Sequence, residues 1–141
     1  MSPLPQVTDL IRHRGPSVLL DRILELSPSK CRALARVEDG AWYLQEDGAA
    51  PAWLGLEWMA QAAAAFSGHR HREAGREPRI GYLLGTRAYE AQVPTFPAGV
   101  EFEVVAEVLF LDDSGPGAFT CEVRHKGETL ARARLKAIET P

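Results

Sequence analysis

The stretch PAWLGLEWMAQAAAAF, Pro51 to Phe66, is the most apolar part of this chain and decides its fold class. Its apolar side chains recur every three or four residues, which is the spacing of a helix. These positions are Leu56, Met59, Ala60, Ala63 and Phe66. The opposite side is rich in alanine, so we expect the helix to be covered on most of its circumference. Because Pro51 suits a helix start and Gly75 a helix end, we predict a helix over Pro51–Ala74.

Strand-like segments surround this helix, two before it and four after it. They are SVLLDRILEL, CRALARVE, RIGYLLGTRAYEAQV, VEFEVVAEVLFLDD, GAFTCEVRHKG and TLARARLKAIE. A short helix is predicted in LPQVTDLIRH, starting near Thr8 or Asp9 and stopped by Gly15 and Pro16. The segment DGAWYLQEDGAAP is predicted to be a loop. This order predicts a single α+β domain over residues 1–141, in which an antiparallel sheet of five or six strands curls around the long helix.

Composition excludes several classes of function. The net charge of −3 argues against a protein that binds nucleic acid, which is normally basic. The run from Pro51 to Phe66 is shorter than the ~20 residues that span a bilayer, and MSPLPQVTDLIRHRG does not resemble a signal peptide. Cys31 and Cys121 belong to no CxxC or histidine-rich motif, so neither a disulfide nor a metal site is expected. We therefore expect a cytoplasmic protein with no membrane segment.

One carboxylate, Glu57, stands near the middle of the apolar run. Taking a carboxylate out of water is costly unless it is paired, hydrogen-bonded or protonated. Gln61 follows four residues later and so lies on the same helix face. One interpretation is a structural Glu57, hydrogen-bonded to Gln61 or to the main chain. The other is a catalytic acid, because so apolar a helix would lose little by carrying Gln or Leu at this position.

Three segments resemble the β-hydroxyacyl-ACP dehydratases of fatty-acid synthesis. LIRHRGPSVLLDRILEL is similar to their LPHRYPFLLVDRV opening, PAWLGLEWMAQAAAAF to their PGVLILEAMAQ helix, and YLLGTRAYEAQVPTFPAGVEFEV to their AGIDEARFKRPVVPGD segment. The likeness covers essentially the whole chain. It is strongest to a divergent branch, predicted 3-hydroxyacyl-ACP dehydratases, which includes proteins of aryl-polyene pigment pathways. It implies a hot-dog fold, a dimer with the two sheets joined, and acyl tunnels at the subunit interface.

The resemblance places Glu57 on the catalytic carboxylate of that family. Dehydration needs one group that removes a proton from C2 and another that protonates the departing hydroxyl. A carboxyl group in an apolar tunnel has a raised pKa, so Glu57 is expected to be the general acid. Free N–H groups at the helix start, around Ala52, Trp53 and Leu54, are expected to polarise the thioester carbonyl. Gln61 is expected to contribute to substrate binding.

The chain departs from this family at the histidine. The dehydratases carry their catalytic histidine in a GHFPG loop just before the helix, whereas the corresponding loop here, WYLQEDGAAPAW, has none. Ala52 also replaces the family's glycine, which is expected to narrow the thioester site. His13, in the motif RHRGP, is the best candidate for the base, and the alternative is a histidine that orders its own loop. His69 and His71 fall on different helix faces, so no metal pair is expected, and His125 is expected to be solvated.

Three functions are compatible with these features. The first is a dehydratase of 3-hydroxyacyl thioesters on acyl-carrier protein, working without a cofactor. The second is a hot-dog acyl thioesterase, in which Glu57 orients water onto the thioester carbonyl. The third is a non-catalytic partner subunit that lends Glu57 to a related hot-dog protein, so both a homodimer and a heterodimer are considered. The basic cluster HRHREAGREPR fits a helix C-terminus better than a docking patch for an acidic carrier protein and its phosphopantetheine arm.

Overall fold

The computed structural model describes residues 4–76, 81–112 and 115–139. Within these residues the chain forms two helices and eight strands. In chain order they are α1 (Val7–Leu10), β1 (Leu20–Leu26), β2 (Lys30–Arg36), β3 (Ala50–Pro51), α2 (Leu54–Glu73), β4 (Gly81–Ala91), β5 (Thr95–Phe96), β6 (Glu101–Leu111), β7 (Pro116–His125) and β8 (Glu128–Glu139). A single 3-10 turn over Gly15–Ser17 precedes β1.

The main sheet has six antiparallel strands in the order β1-β2-β6-β7-β8-β4. The strands β6, β7 and β8 follow one another as hairpins. By contrast, β2 pairs with β6 although α2 lies between them in the sequence, so the chain crosses over through the helix. The strands β3 and β5 form a separate pair. The predicted antiparallel sheet around one long helix is confirmed, and this architecture is the hot-dog fold.

The helix α2 packs its apolar side chains against the sheet and supplies much of the core. Its buried side chains include Leu54, Trp58, Met59, Ala62, Ala65 and Phe66. The Trp58 ring centroid lies 5.0 Å from that of Phe96 and 5.5 Å from that of Phe102. The helix ends at Glu73, close to the predicted end, and Gly75 follows with φ of +74°, which glycine adopts without strain.

The start of α2 differs from the prediction. The helix begins at Leu54, three residues later than predicted, because Pro51 lies in β3 and pairs with Thr95. The main chain is therefore still extended at the predicted start. Trp53 takes the N-cap position with φ of −63° and ψ of −20° and provides no side-chain cap. The predicted loop thus contains a short strand, and its pairing fixes the direction in which the chain enters the helix.

The first helix is a single turn that packs against α2. It is shorter than predicted and begins earlier, because Gln6 is its N-cap and donates its N–H to the Asp9 carboxylate at 3.0 Å. A Cβ atom added at Gly68 of α2 would lie 1.9 Å from the main-chain oxygen of Leu10. Glycine at this position therefore allows the two helices to approach at main-chain distance.

The outer strands of the sheet, β1 and β4, each pair on one side only within the described residues. Both carry irregularities in register, two in each strand. Such bulges bend an edge strand and discourage uncontrolled pairing with other chains. Among residues 4–76, 81–112 and 115–139, no helix is long and apolar enough to cross a bilayer.

Candidate active site

Glu57 lies in the first turn of α2 on the side that this chain leaves open. Its side chain is exposed, whereas the next residue, Trp58, is fully buried. In the part of the chain that the structure describes, Glu57 forms no hydrogen bond or ion pair, so the structural interpretation with Gln61 as its partner is not realised. Residues 4–76, 81–112 and 115–139 do not supply the apolar enclosure expected around Glu57, which stays exposed. The enclosure remains a prediction that requires a second chain.

The start of α2 carries the free N–H groups that the sequence predicts. The N–H of Gly55 is bonded to the carbonyl of Ala52 at 3.2 Å, and that of Leu56 to the carbonyl of Trp53 at 3.0 Å. The N–H groups of Trp53 and Leu54 donate to no other described residue. Ala52 is half-buried, Trp53 is exposed and Leu54 is fully buried. Neither N–H has an acceptor among the described residues, but only that of Trp53 belongs to an exposed residue, where it can donate to an oxygen with developing negative charge beside Glu57.

Gln61 uses its side-chain amide to hold the segment that precedes β1. Its Oε1 accepts hydrogen bonds from the N–H of Leu19 at 2.9 Å and of Leu20 at 3.4 Å, and its Nε2 donates to the carbonyl of Ser17 at 2.6 Å. The side chain is only 2% exposed. Main-chain groups therefore occupy both polar atoms of Gln61, and a contact with substrate stays a prediction.

His13 lies on an exposed segment and does not meet Glu57 within one chain. Its carbonyl accepts a hydrogen bond from Arg14 Nη1 at 2.6 Å. Leu10, before His13, lies against Gly68, and Ser17, after His13, is hydrogen-bonded to Gln61, so the segment runs along α2 between the levels of Gln61 and Gly68. At a rise of 1.5 Å per residue, these levels lie roughly 6 Å and 16 Å along the helix axis from Glu57. The structure therefore does not bring His13 and Glu57 together, and His13 as the base remains a prediction.

The other histidines lie away from the helix start. His69 Nε2 is 3.9 Å from the Glu73 carboxylate, and His71 is buried in the last turn of α2. His125 is half-buried, and its Nδ1 lies 3.2 Å from the carbonyl oxygen of Glu101. No group of three or more His, Cys, Asp or Glu side chains suited to a metal ion occurs in the described ranges.

Trp53, which the sequence predicts as part of the site, forms an exposed aromatic pair with Trp42, which the sequence analysis did not single out. Trp42 is 62% exposed and Trp53 is 47% exposed, and their ring centroids are 6.4 Å apart. The Trp42 indole N–H donates to the carbonyl of Pro16 at 3.1 Å, which fixes the ring beside a groove of about 490 Å³. The sequence shows only that these two tryptophans are present. That their rings lie close together and exposed depends on the fold, so the sequence could not predict this pair.

Tyr89 on β4 is a second side chain that the sequence reasoning missed. Its hydroxyl donates a hydrogen bond to the carbonyl of Ala52, immediately before α2. The side chain is half-buried, and this burial raises the pKa of Tyr89. No motif marks this tyrosine, since its contact with Ala52 joins residues 37 positions apart.

Solved structures resemble this fold to different degrees. A chain of the dehydratase heterocomplex ApeI:P from Xenorhabdus doucetiae superposes with a TM-score of 0.94 at 29% identity, covering 99% of this chain and 93% of that chain. A hypothetical thioesterase protein with coenzyme A from Streptococcus pneumoniae TIGR4 has a TM-score of 0.66 at 10% identity, covering 84% of each chain. At so low an identity, the second likeness shows the fold alone.

Sequence comparison points to the same group of proteins. The 3-hydroxyacyl-(acyl-carrier-protein) dehydratase FabZ of Burkholderia lata is 32% identical over 97 residues. The matched part is 65% of this chain and 63% of that relative, so the chain spans less than two thirds of the relative's length. The family model of the ApeP dehydratases, described as ApeP-like, matches residues 5–141, and this chain therefore belongs to the ApeP-like dehydratase family.

Proposed function

We propose that this chain acts in the dehydration of 3-hydroxyacyl thioesters carried on acyl-carrier protein, with Glu57 as the general acid. The observation that carries the proposal is the start of α2, where the free N–H groups of Trp53 and Leu54 lie about one helical turn from Glu57. A carboxyl group and an accessible, oriented N–H donor are two of the three components that this elimination needs, and the third is a base. The activity named for the Burkholderia lata relative supports the same reaction.

In this proposal each group at the start of α2 has one role. The thioester carbonyl accepts a hydrogen bond from the N–H of the exposed Trp53, which stabilises the negative charge that develops on its oxygen, and the N–H of the buried Leu54 lies behind it. A base removes the proton from C2, and the electron pair of that C–H bond becomes the C2–C3 double bond. As the C3–O bond breaks, Glu57 gives its proton to the departing hydroxyl, which leaves as water. Solvent then reprotonates Glu57 and takes the proton from the base.

A second chain is needed to complete this site. Carboxyl groups in contact with water are ionised near neutral pH, so a general acid must be enclosed to keep its proton. The exposed rings of Trp42 and Trp53 beside Glu57 offer apolar surface that such a chain would cover. The base is a histidine of this second chain, which is either another copy, through His13, or a related hot-dog protein. The absence of histidine from residues 42–53 and the heterocomplex named for the ApeI:P structure favour the heterodimer.

The buried thiols fit a reducing compartment, and we place the reaction in the cytoplasm. Cys31 and Cys121 are free and fully buried, which makes both inert as nucleophiles. Burial raises the pKa of the Cys31 thiol to about 12 and holds that of Cys121 far above its usual range.

The test is the rate of enoyl-thioester formation by the complex of this chain with a hot-dog partner that carries the histidine loop. Glu57→Gln keeps the shape of the side chain and removes the transferable proton, so kcat is expected to fall by ~10²–10⁴. Glu73→Gln, on the exposed end of the same helix, is the matched control and is expected to keep the wild-type rate. Full activity of Glu57→Gln would show that the carboxyl group is not the acid.

The same assay separates dehydration from thioester hydrolysis. Dehydration converts the 3-hydroxyacyl thioester into the enoyl thioester and releases no thiol, whereas a thioesterase releases the free thiol. If the wild-type complex releases thiol and forms no enoyl product, and Glu57→Gln abolishes this release, the activity is that of a thioesterase and the dehydratase proposal is wrong.

A further inference from the structure

Tyr89 attaches the edge strand β4 to the start of α2. Its hydroxyl donates to the carbonyl oxygen of Ala52, and the same oxygen accepts the N–H of Gly55 at 3.2 Å. One hydrogen bond from the sheet and one from the helix therefore converge on a single main-chain oxygen. This oxygen belongs to the residue directly before Trp53.

Gly55 provides the space that the Tyr89 hydroxyl occupies. A Cβ atom at Gly55 would lie 2.7 Å from the hydroxyl oxygen and 3.3 Å from two ring atoms of Phe96. Any other residue at position 55 would therefore have to displace the hydroxyl from Ala52. The sheet and the helix are thus fitted to each other at this contact.

A bulge in β4 presents Tyr89 to the helix. Arg87 pairs with Arg134, and Glu90 pairs with Arg132, so two residues of β4 stand opposite one residue of β8. Bulges of this kind change the direction in which a side chain points and recur next to active sites. Tyr89 lies in this bulge and is half-buried against the helix, whereas the next residue, Glu90, is exposed.

The orientation of the Ala52 carbonyl determines that of a catalytic donor. The C=O of Ala52 and the N–H of Trp53 belong to one peptide unit, which is planar, and no cis peptide bond occurs in the described residues. In a trans unit the two groups point in opposite directions. A hydrogen bond that holds the carbonyl toward β4 therefore holds the Trp53 N–H away from the sheet, at the free end of the helix.

We propose that Tyr89 is a positioning residue for the reaction, because its hydroxyl fixes the peptide unit that presents the Trp53 N–H to the thioester carbonyl. This role rests on the proposed function, since it requires that the thioester binds at the start of α2. Tyr89 touches no reacting atom. It acts through the peptide unit between Ala52 and Trp53.

The kinetic test is Tyr89→Phe in the active complex. The ring and its packing are kept, and only the hydroxyl is lost. Without the hydroxyl, the Trp53 N–H is less well oriented and stabilises the charge in the transition state less. We therefore expect kcat to fall about tenfold with little change in KM. Tyr43→Phe is the matched control, since the hydroxyl of the buried Tyr43 accepts the N–H of Glu38 at 3.1 Å and forms no hydrogen bond with α2 among the described residues.

Hydrogen exchange of the free chain provides a readout that needs no substrate. In Tyr89→Phe the bonded amides of Gly55 and Leu56 are expected to exchange about fivefold faster, while those in the middle of α2 are unchanged. Tyr43→Phe is expected to leave both regions as in the wild type. An inactive wild-type complex would refute the proposed function, yet exchange would still report on the contact. Unchanged exchange at Gly55 and Leu56, or an unchanged kcat despite faster exchange, would overturn the role of Tyr89.

Discussion

The side chain of Gln61 replaces water for three main-chain groups in the segment before β1. Gln61→Met keeps the length of the side chain but leaves the N–H groups of Leu19 and Leu20 and the carbonyl of Ser17 without this partner. An unsatisfied buried polar group costs roughly 1–3 kcal/mol, and the hydrogen bonds to Leu19 and Ser17 are only partly buried, so we expect the free energy of unfolding to fall by about 1–3 kcal/mol. Urea denaturation measures this change.

A matched control for this prediction is Gln45→Met, since Gln45 is exposed. Its free energy of unfolding is expected to stay within about 0.5 kcal/mol of the wild type. If Gln61→Met were as stable as Gln45→Met, the hydrogen bonds of Gln61 would contribute nothing to the fold.

Single residues were predictable where they break a local pattern. Glu57 stands out because it is a carboxylate in an apolar helix, and the free N–H groups of Trp53 and Leu54 follow from the nature of a helix start. The partners of Gln61 lie 41 to 44 residues away and leave no local signal. Tyr89 was missed for a related reason, because a bulge is a property of the pairing between two strands.

The contact between α1 and α2 depends on one glycine. A Cβ at Gly68 would meet the main-chain oxygen of Leu10 at 1.9 Å, and main chain cannot move aside as a side chain can. For Gly68→Ala, overpacking costs roughly 1–3 kcal/mol, which opposes the gain of about 1 kcal/mol from better helix propensity. We therefore expect a net loss of stability of up to about 2 kcal/mol, measured as a lower thermal midpoint.

The control is Glu73→Ala at the exposed end of α2, where only the long 3.9 Å approach of the carboxylate to His69 is lost and the midpoint is expected to stay close to that of the wild type. A thermal midpoint of Gly68→Ala above that of the wild type would mean that α1 yields freely and is not fixed by this contact.

The type and order of the helices and strands could be predicted from the sequence, whereas the residues at which they begin and end could be predicted less well. The long helix and the six strands of the main sheet follow from apolar periodicity, which each segment carries within itself. The start of α2 was placed too early because Pro51 pairs with Thr95, and a pairing across 44 positions overrides the local preference of proline for a helix start. The segment between α1 and β1 is likewise held by the hydrogen bonds of Gln61, which its own sequence does not reveal.

At the scale of the whole molecule, the described residues leave the candidate site open on one side. Glu57, Trp53 and Trp42 are exposed together, and the edge strand β4 carries Tyr89 next to them. This exposed carboxyl group and the apolar surface beside it become an enclosed site only when a second chain covers both. Assembly is thus expected to be a condition of activity. His13→Ala is expected to be nearly harmless if the second chain brings the base, and as damaging as Glu57→Gln if His13 of another copy is the base.

The most direct test is the initial rate of enoyl-thioester formation at a fixed concentration of this chain, titrated with a hot-dog partner that carries the histidine loop. The rate is expected to rise from background and to saturate at one partner per chain with wild-type Glu57, and to stay ~10²–10⁴ lower throughout the titration with Glu57→Gln. A titration with Glu57→Gln that matches the wild type, or a full rate of this chain without any partner, would contradict a site in which Glu57 is the acid and a second protein completes it.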